Sequence, residues 1–247
     1  MVCLHGFTDT WRTWELVLPA LRRRHDVLAP TLAGHAGGPD LPRPLAPGAL
    51  ADAVERQMDE AGFEIAHLVG NSLGGHVALE LAARGRAASV VALAPAGGWE
   101  PGDGRFAEMI RGFTDLHRDA RAAAPHAAAL MATREGRRRA TRAITVGWEH
   151  IPAELLEHQL LAAASCDVEP MVEVALSEGY PLEAEMITCP VRIVWGADDR
   201  LLPLPDAATR LRRLLPQAEW VELPGVGHCP QLDVPVETAQ LVLDATA

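Results

Sequence analysis

The chain has 247 residues, of which 22 are basic, 33 are acidic and 49% are apolar, and its net charge is −11. This length and apolar content suit one large α/β domain, or a core domain with an insertion, and exclude a disordered chain. The negative charge disfavours nucleic acid and anionic membrane surfaces as partners. No apolar run approaches the roughly 18 to 20 residues that a membrane helix needs.

The first half of the chain alternates short apolar runs with helical periodicity, which is typical of a parallel sheet covered by helices. Strands are predicted over residues 2–4, 26–30, 65–69 and 89–94. Helices are predicted around 11–21, 50–58 and 73–83, where apolar residues recur at helical spacing. Residues 33–48 are dense in glycine and proline and are predicted to form a loop.

From about residue 98 to residue 186 the strand-like runs vanish, and the chain becomes rich in Ala, Arg and Glu with scattered prolines. This stretch predicts several short helices inserted between two strands. The sheet pattern resumes with strands at 191–195 and 219–223 and with helices near 205–215 and 235–243. We therefore expect an α/β core formed by residues 1–97 and 187–247, with a helical insertion at 98–186.

The N-terminus and the cysteines bear on the cellular compartment. His5-Gly6 follows the first strand at once, which leaves no room for the charged and apolar regions of a signal peptide. The four cysteines lie far apart and form no Cys-x-x-Cys pair, so neither a zinc site nor a disulfide framework is expected. A cytoplasmic location is the expectation.

The strongest chemical signal is Gly70-Asn71-Ser72-Leu73-Gly74, which lies between a predicted strand and a predicted helix. This is the Gly-x-Ser-x-Gly nucleophile elbow in the context that it requires. The serine there sits in a strained turn, and strand and helix pass so closely that the two flanking positions tolerate only small residues. The alternative is an ordinary glycine-rich turn with an idle serine.

A serine hydroxyl becomes a good nucleophile only when a base, itself oriented by a third group, removes its proton. His228 is the candidate base because it follows the last predicted strand and because Gly225 and Gly227 free its loop. A histidine with purely local hydrogen bonds is the alternative. The candidate acids, Asp198 and Asp199, follow the strand at 191–195, and the residues alone leave the choice between them open.

Acyl transfer also needs hydrogen-bond donors for the oxyanion that develops on the carbonyl oxygen. The backbone N–H of Leu73, which opens the helix after the serine, is one candidate. The N–H of Phe7, in the loop after the first strand, is the other. His5 in that loop is interpreted as a group that organises the loop, not as a base.

With these motifs the chain resembles the α/β-hydrolase superfamily, and within it the carboxylesterase-like serine hydrolases with a helical cap. The matching segments are the oxyanion loop 5–7, the elbow 70–75, the acid loop 196–199 and the histidine loop 227–228, in the order serine, aspartate, histidine. The resemblance implies that Asp199, three residues after a glycine, is the acid. It also implies that residues 98–186 are a cap over the substrate pocket, and that Trp14 packs behind the oxyanion loop.

The chain departs from this resemblance at its start, because relatives usually have two strands before the His-Gly strand. The N-terminal strands of the usual fold are therefore expected to be missing, and the strand at 26–30 would become a sheet edge.

Bulky apolar residues early in the insertion are candidates for the substrate pocket, with packing inside the insertion as the alternative for each. They are Trp99, Phe106, Phe113 and Trp148.

A cluster of arginines follows, for which a solvated helix face is favoured over recognition of a carboxylate or phosphate. Its members are Arg134, Arg137, Arg138, Arg139 and Arg142. No metal or dinucleotide motif occurs in the sequence, so no cofactor and no metal are implied.

The sequence therefore predicts a cofactor-free serine hydrolase that cleaves a small or medium, largely apolar carboxylic ester through an acyl-enzyme, as a monomer or homodimer. One alternative keeps the triad of Ser72, Asp199 and His228 but uses it for carbon–carbon bond hydrolysis, lyase, perhydrolase or acyl-transfer chemistry. Another is a receptor-like protein that binds a small molecule on the same fold.

Overall fold

A computed structural model describes residues 1–100 and 103–246, and within them five parallel strands form one sheet in the order β1-β2-β3-β4-β5. The strands are β1 (Val2–Leu4), β2 (Ala66–Asn71), β3 (Ala87–Leu93), β4 (Val191–Gly196) and β5 (Glu219–Leu223). Leu4 pairs with Gly70, and Gly70 in turn pairs with Ala92. The carboxyl ends of the strands therefore meet at one edge of the sheet, where ligands of open α/β sheets bind.

Helices cover both faces of the sheet because alternate strand residues point to opposite sides. On one face Leu4 and Leu68 pack in one buried cluster with Val54 and Val77. On the other face Cys3 packs in a second buried cluster with residues from near both ends of the chain. The helices of the core are α1 (Leu18–Leu21), α2 (Ala49–Glu60), α3 (Leu73–Ala83), α9 (Thr209–Leu214), α10 (Pro230–Asp233) and α11 (Pro235–Asp244).

The chain between β3 and β4 is mostly helical. We call residues 98–186 the insertion. Its helices are α4 (Gly104–Ala123), α5 (Ala127–Met131), α6 (Arg134–Thr141), α7 (Ala153–Ser165) and α8 (Val168–Glu178). Helix α4 packs against α7 and α8, and Val168 and Met171 of α8 join the same buried cluster as the core residue Leu73. No helix in the described part of the chain is long and apolar enough to span a membrane.

The segment predicted as a strand at 26–30 is reduced to one parallel bridge, between Val2 and Leu28. Leu28 N–H donates to Met1 O at 3.0 Å, and Leu28 O accepts from Cys3 N–H at 2.9 Å. The next N–H of a parallel ladder would come from residue 30, which is a proline and has none. The predicted strand therefore ends after one bridge, at the edge of the sheet beside β1.

The helix predicted around 11–21 is interrupted. Residues Trp11–Trp14 form a 3₁₀ turn, and a separate short helix, α1, begins at Leu18. Pro19 explains the break, since a helix through both segments would need its N–H and would bring its ring against the carbonyl of Glu15. Trp14 is fully buried in the cluster that contains Cys3, which agrees with a structural role.

Candidate active site

Ser72 lies in the tight turn between β2 and α3. Its backbone φ of 53° and ψ of −117° are rare for a residue with a side chain and store strain at that point. Its N–H donates to Leu93 O at 2.9 Å, and its carbonyl accepts from Ala96 N–H at 2.9 Å, so the end of β3 and the loop after it hold the strained turn. The elbow predicted from the sequence thus has the local geometry that its motif requires.

Two glycines allow this turn. A Cβ atom on Gly70 would lie 2.1 Å from Gly74 O, and one on Gly74 would lie 2.3 Å from Leu4 O. Both neighbours are backbone atoms, which cannot move aside as the end of a side chain could. Strand β2, helix α3 and the end of β1 therefore pass one another at a distance that excludes any side chain at these positions.

His228 and Asp199 form a buried pair. His228 Nδ1 lies 2.7 Å from Asp199 Oδ2, and their side chains are 3% and 0% exposed. The second carboxylate oxygen, Oδ1, accepts from the N–H groups of Leu201 and Leu202, each at 2.8 Å. Because Oδ2 is an acceptor, Nδ1 carries the proton and Nε2 is left with a free lone pair.

Asp198 is exposed and serves a different contact. Its Oδ2 accepts from Gly225 N–H at 2.9 Å, which closes the loop that leads to His228. Of the two carboxylates that the residues alone could not separate, it is therefore Asp199 that contacts the imidazole.

Asn71, which sequence reasoning did not single out, links the elbow to the histidine loop. Its Nδ2 donates to Leu93 O at 3.1 Å and to His228 O at 3.0 Å, while its Oδ1 accepts from Gln231 Nε2 at 3.1 Å. One buried amide next to Ser72 thereby fixes the backbone of His228. In the sequence, only the position of Asn71 inside the elbow motif indicated that it lies at the site.

The oxyanion loop lies directly against Ser72. A Cβ on Gly6 would be 3.3 Å from Ser72 Cβ. Leu73 is the first residue of α3, so its N–H has no acceptor within the helix. Phe7 follows Gly6, and Leu73 follows Ser72, so the backbone of both residues lies near the serine. The carbonyl oxygen of a substrate attacked by Ser72 would need hydrogen-bond donors at this place.

His5 organises this loop. Its Nε2 accepts from Leu32 N–H at 2.9 Å, so its Nδ1 carries the proton and donates to Gly6 O at 2.7 Å. The ring is fully buried, and this burial holds the pKa of His5 well below its ordinary value. Both ring nitrogens are occupied by backbone groups, which leaves neither for acid–base work.

A cleft lies between the core and the insertion. Phe7 and Leu73 line it from the core side, and Phe113 and Met171 line it from the insertion. Its lining is mostly apolar, and its one carboxylate, Glu80, is paired with Arg84 at 2.7 Å. No Arg or Lys occurs among the described residues that line it.

Of the four residues proposed for the pocket, Phe113 alone lines this cleft. Trp99 is buried in the core cluster beneath the guanidinium of Arg105. Phe106 packs edge-on against Tyr180, and Trp148 is buried in a cluster with Cys229 and Leu232. These three rings pack elsewhere in and around the insertion, and none of them is among the described residues that line this cleft.

The arginine cluster lies on and after α6, away from the cleft lining. Arg134 pairs with Glu149 at 3.0 Å, and Arg138 pairs with Glu135 at 3.0 Å. Both pairs are largely exposed, as in the solvated helix face that the sequence favoured.

Asp233 joins the insertion to the histidine loop. It is 6% exposed, and its carboxylate accepts from the N–H groups of Gly227 at 2.7 Å, Val146 at 2.8 Å and Gly147 at 2.6 Å. This clamp fixes the residue before His228 and was not singled out in the sequence.

We expect Asp233→Ala to lower the free energy of unfolding by about 3 kcal/mol or more, since it leaves backbone donors without an acceptor. Urea unfolding measures this change. The matched control is Asp115→Ala, which removes an exposed carboxylate paired with Arg118 and should change stability by less than about 0.5 kcal/mol. Equal midpoints for the two variants would show that the clamp contributes nothing.

Asp9 ties the oxyanion loop to the insertion and is expected to make stability depend on pH. Its carboxylate accepts from Thr10 N–H at 2.8 Å and from Gln159 Nε2 of α7 at 3.0 Å. Burial nevertheless raises the pKa of Asp9 to about 6. Between about pH 4 and pH 6 the folded chain keeps a proton that the unfolded chain has lost, so stability falls as the pH rises through that interval.

The variant Asp9→Asn lacks this titration. Melting temperatures of both proteins from pH 4 to pH 8 should show wild type losing stability relative to the variant up to about pH 6, with a constant difference above about pH 7. Parallel curves across the whole range would refute the assignment of this slope to Asp9.

The buried His228–Asp199 pair, the strained Ser72 and the adjoining loop 5–7 form a candidate active site at the carboxyl edge of a parallel α/β sheet. The sequence matches the model of the alpha/beta hydrolase family over residues 1–241. The chain belongs to this family.

The chain is similar to two curated relatives with different named activities and to one solved structure. The chain is 35% identical over 203 residues to the epoxide hydrolase EphH of Mycobacterium tuberculosis, which covers 78% of this chain and 91% of that protein. It is 30% identical to the pimeloyl-[acyl-carrier protein] methyl ester esterase of Aromatoleum aromaticum, over 99% of this chain and 96% of that one. The structure of the carboxylesterase CesB from Bacillus subtilis aligns with a TM-score of 0.72 at 21% identity, covering all of this chain and 82% of the other.

Proposed function

We propose that the protein is a cofactor-free serine hydrolase that cleaves a small or medium carboxylic ester with a largely apolar acyl group. Ser72 is the nucleophile, His228 is the base, and Asp199 holds the imidazole in the required tautomer. The N–H groups of Phe7 and Leu73 stabilise the oxyanion. The buried hydrogen bond between His228 and Asp199 is the observation that carries this proposal, because it leaves Nε2 free to accept a proton.

The reaction has two halves. Ser72 Oγ attacks the carbonyl carbon while its proton passes to His228 Nε2. The bond to the leaving oxygen then breaks, and that oxygen takes the proton from Nε2 as the alcohol departs. In the second half a water molecule gives a proton to Nε2, its oxygen attacks the acyl-enzyme, and Ser72 recovers the proton as the acid leaves.

Esters are favoured over epoxides because of the chemistry of the intermediate. A serine oxygen that opens an epoxide forms an ether, which water at a histidine base does not cleave. A serine oxygen that attacks a carbonyl forms an ester, which the second half-reaction can hydrolyse. The activity named for the mycobacterial relative is therefore not carried over, whereas that named for the esterase relative agrees with a serine at the elbow.

The apolar lining of the cleft supports an apolar acyl group. Substrates with a carboxylate deep in the cleft, such as diketo acids in carbon–carbon bond hydrolysis, are disfavoured because no Arg or Lys is among the described lining residues.

Intact-protein mass spectrometry tests the nucleophile. Wild-type protein treated with a fluorophosphonate or with p-nitrophenyl esters should gain one adduct, and Ser72→Ala should gain none. Labelling that persists in Ser72→Ala would overturn the assignment. A folded wild-type protein that reacts with neither reagent would instead favour a ligand-binding role.

A further inference from the structure

Helix α3 forms one wall of the cleft over about two turns. The residues of α3 that line the cleft are Leu73, His76, Val77 and Glu80. This spacing places all of them on one face of the helix. Since each residue adds about 1.5 Å along the axis, the wall from Leu73 to Glu80 is about 10 Å long. The cleft therefore runs along α3, starting at the residue that follows the proposed nucleophile.

The end of the cleft at Leu73 adjoins the proposed oxyanion donors. Phe7, whose N–H is one of these donors, lines the cleft, and its ring meets that of Phe113 from α4 edge-on with centroids 5.0 Å apart. An acyl group whose carbonyl oxygen accepts from the N–H groups of Phe7 and Leu73 has the start of its chain at this end. The rest of the chain then extends along α3.

The middle of the cleft is apolar. Val77 lies about 6 Å beyond Leu73 along the helix axis, and it packs in the same buried cluster as Leu73. Met171 and Ala175 of α8 line the cleft from the side of the insertion. Each CH₂ group that leaves water for such surroundings strengthens binding about fourfold. The preference for an ester should therefore grow with each carbon that remains in this section.

The apolar wall ends at Glu80. Its carboxylate pairs with Arg84 at 2.7 Å, and Arg84 also pairs with Asp52 at 2.7 Å and with Glu55 at 2.6 Å. A Cβ on Gly48 would lie 2.9 Å from Glu80 Oε1, so the chain before α2 closes against these ion pairs. An alkyl chain gains nothing from covering charged groups, because they lose water and receive no hydrogen bond in return.

We propose that the length of this cleft selects the acyl chain of the substrate, and that chains of about eight carbons are preferred. This inference rests on the proposed ester hydrolase function and names its substrate class. An extended chain gains about 1.2 Å per bond, so an octanoyl group spans about 8 Å and ends just short of Glu80. Val77 and Glu80 are the specificity-determining residues, since Val77 leaves room for the chain in mid-cleft and Glu80 ends the apolar section.

A series of p-nitrophenyl esters from butyrate to dodecanoate, each below the concentration at which it forms micelles, tests this preference in wild type. We expect kcat/KM to rise about tenfold or more from butyrate to octanoate and to rise no further for decanoate. A constant or falling kcat/KM from butyrate onward overturns the proposal and leaves ester hydrolysis intact. A rise that continues to dodecanoate does the same.

Two substitutions should shift the preferred length in opposite directions. Val77→Phe places a ring in mid-cleft and should lower the ratio of kcat/KM for octanoate to that for butyrate about tenfold. Glu80→Leu lengthens the apolar wall and should raise the ratio for decanoate to octanoate about fivefold. The matched control is Glu55→Leu, which removes another carboxylate from Arg84 but is not among the described residues that line the cleft. It should leave both ratios within about twofold of wild type.

The outcomes separate this inference from the proposed function. Unchanged ratios in Val77→Phe and Glu80→Leu, or an equal gain in Glu55→Leu, overturn the assignment of the two residues. If melting curves show that Val77→Phe does not fold, Glu80→Leu decides alone. If wild type hydrolyses no ester, the proposed function fails, and calorimetric titration with butanamide and octanamide still tests the cleft without turnover. Octanamide should bind about tenfold or more tightly, and equal affinity for the two amides would overturn the preference.

Discussion

Replacing Asp199 with asparagine is expected to lower kcat for ester hydrolysis on the order of 10⁴-fold, the scale known for the corresponding change in serine proteases. The reason lies in the hydrogen bonds of the carboxylate. Its Oδ1 accepts from two backbone N–H groups, those of Leu201 and Leu202, so an amide at this position must turn its oxygen toward them. Its NH₂ group then faces His228 Nδ1, which must become an acceptor, and the ring proton moves to Nε2.

An imidazole with its proton on Nε2 cannot take the proton of Ser72. The expected loss is therefore in kcat, while KM and the melting temperature change little because the amide has nearly the shape of the carboxylate. Steady-state kinetics with p-nitrophenyl pentanoate measure both parameters. Circular dichroism melting curves show whether the variant is folded.

Asp198→Asn provides the matched control, since it makes the same chemical change one residue earlier. Asp198 is exposed, and within the described part of the chain its side chain bonds only Gly225 N–H, a contact that an amide oxygen also makes. Its kcat should stay within about twofold of wild type. Comparable losses of kcat in the two variants would mean that activity does not depend on the contact between the Asp199 carboxylate and His228.

The sequence predicted those parts of the site that depend on local motifs. The elbow requires glycine at 70 and 74, and the order of strands places Ser72, Asp199 and His228 at one edge of the sheet. These are rules of backbone geometry and chain order, and they can be applied without knowing which side chains meet. Six strands were predicted from the same periodicities, together with the helices between β3 and β4; five of these strands form, and the sixth, at 26–30, is reduced to one bridge.

The remaining parts depend on contacts between distant segments, and no local pattern reports them. Asn71 and Asp233 position the histidine loop through hydrogen bonds to backbone groups, which any sequence offers. The pocket aromatics were chosen by their size and their place in the insertion, and neither property tells which side chains face the cleft.

Gly74→Ala is expected to destabilise the fold by about 3 kcal/mol or more and to impair catalysis together with stability. A Cβ there would lie 2.3 Å from Leu4 O and 2.4 Å from His5 O. Relief of this overlap must push α3 away from β1, and that movement separates Ser72 from the oxyanion loop. Both the urea midpoint and kcat/KM should therefore fall, although alanine is otherwise the better helix former.

Gly112→Ala is the matched control, because Gly112 also lies in a helix, α4, and a Cβ there would meet nothing within 4 Å. This change should raise stability by about 0.5 to 1 kcal/mol, which is the gain from replacing a helical glycine with alanine. Opposite signs for the two substitutions would locate the effect in the contact between α3 and β1. A Gly74→Ala protein as stable and active as wild type would show that this contact is looser than the structure has it, and the close approach that sets the position of Ser72 would then need another cause.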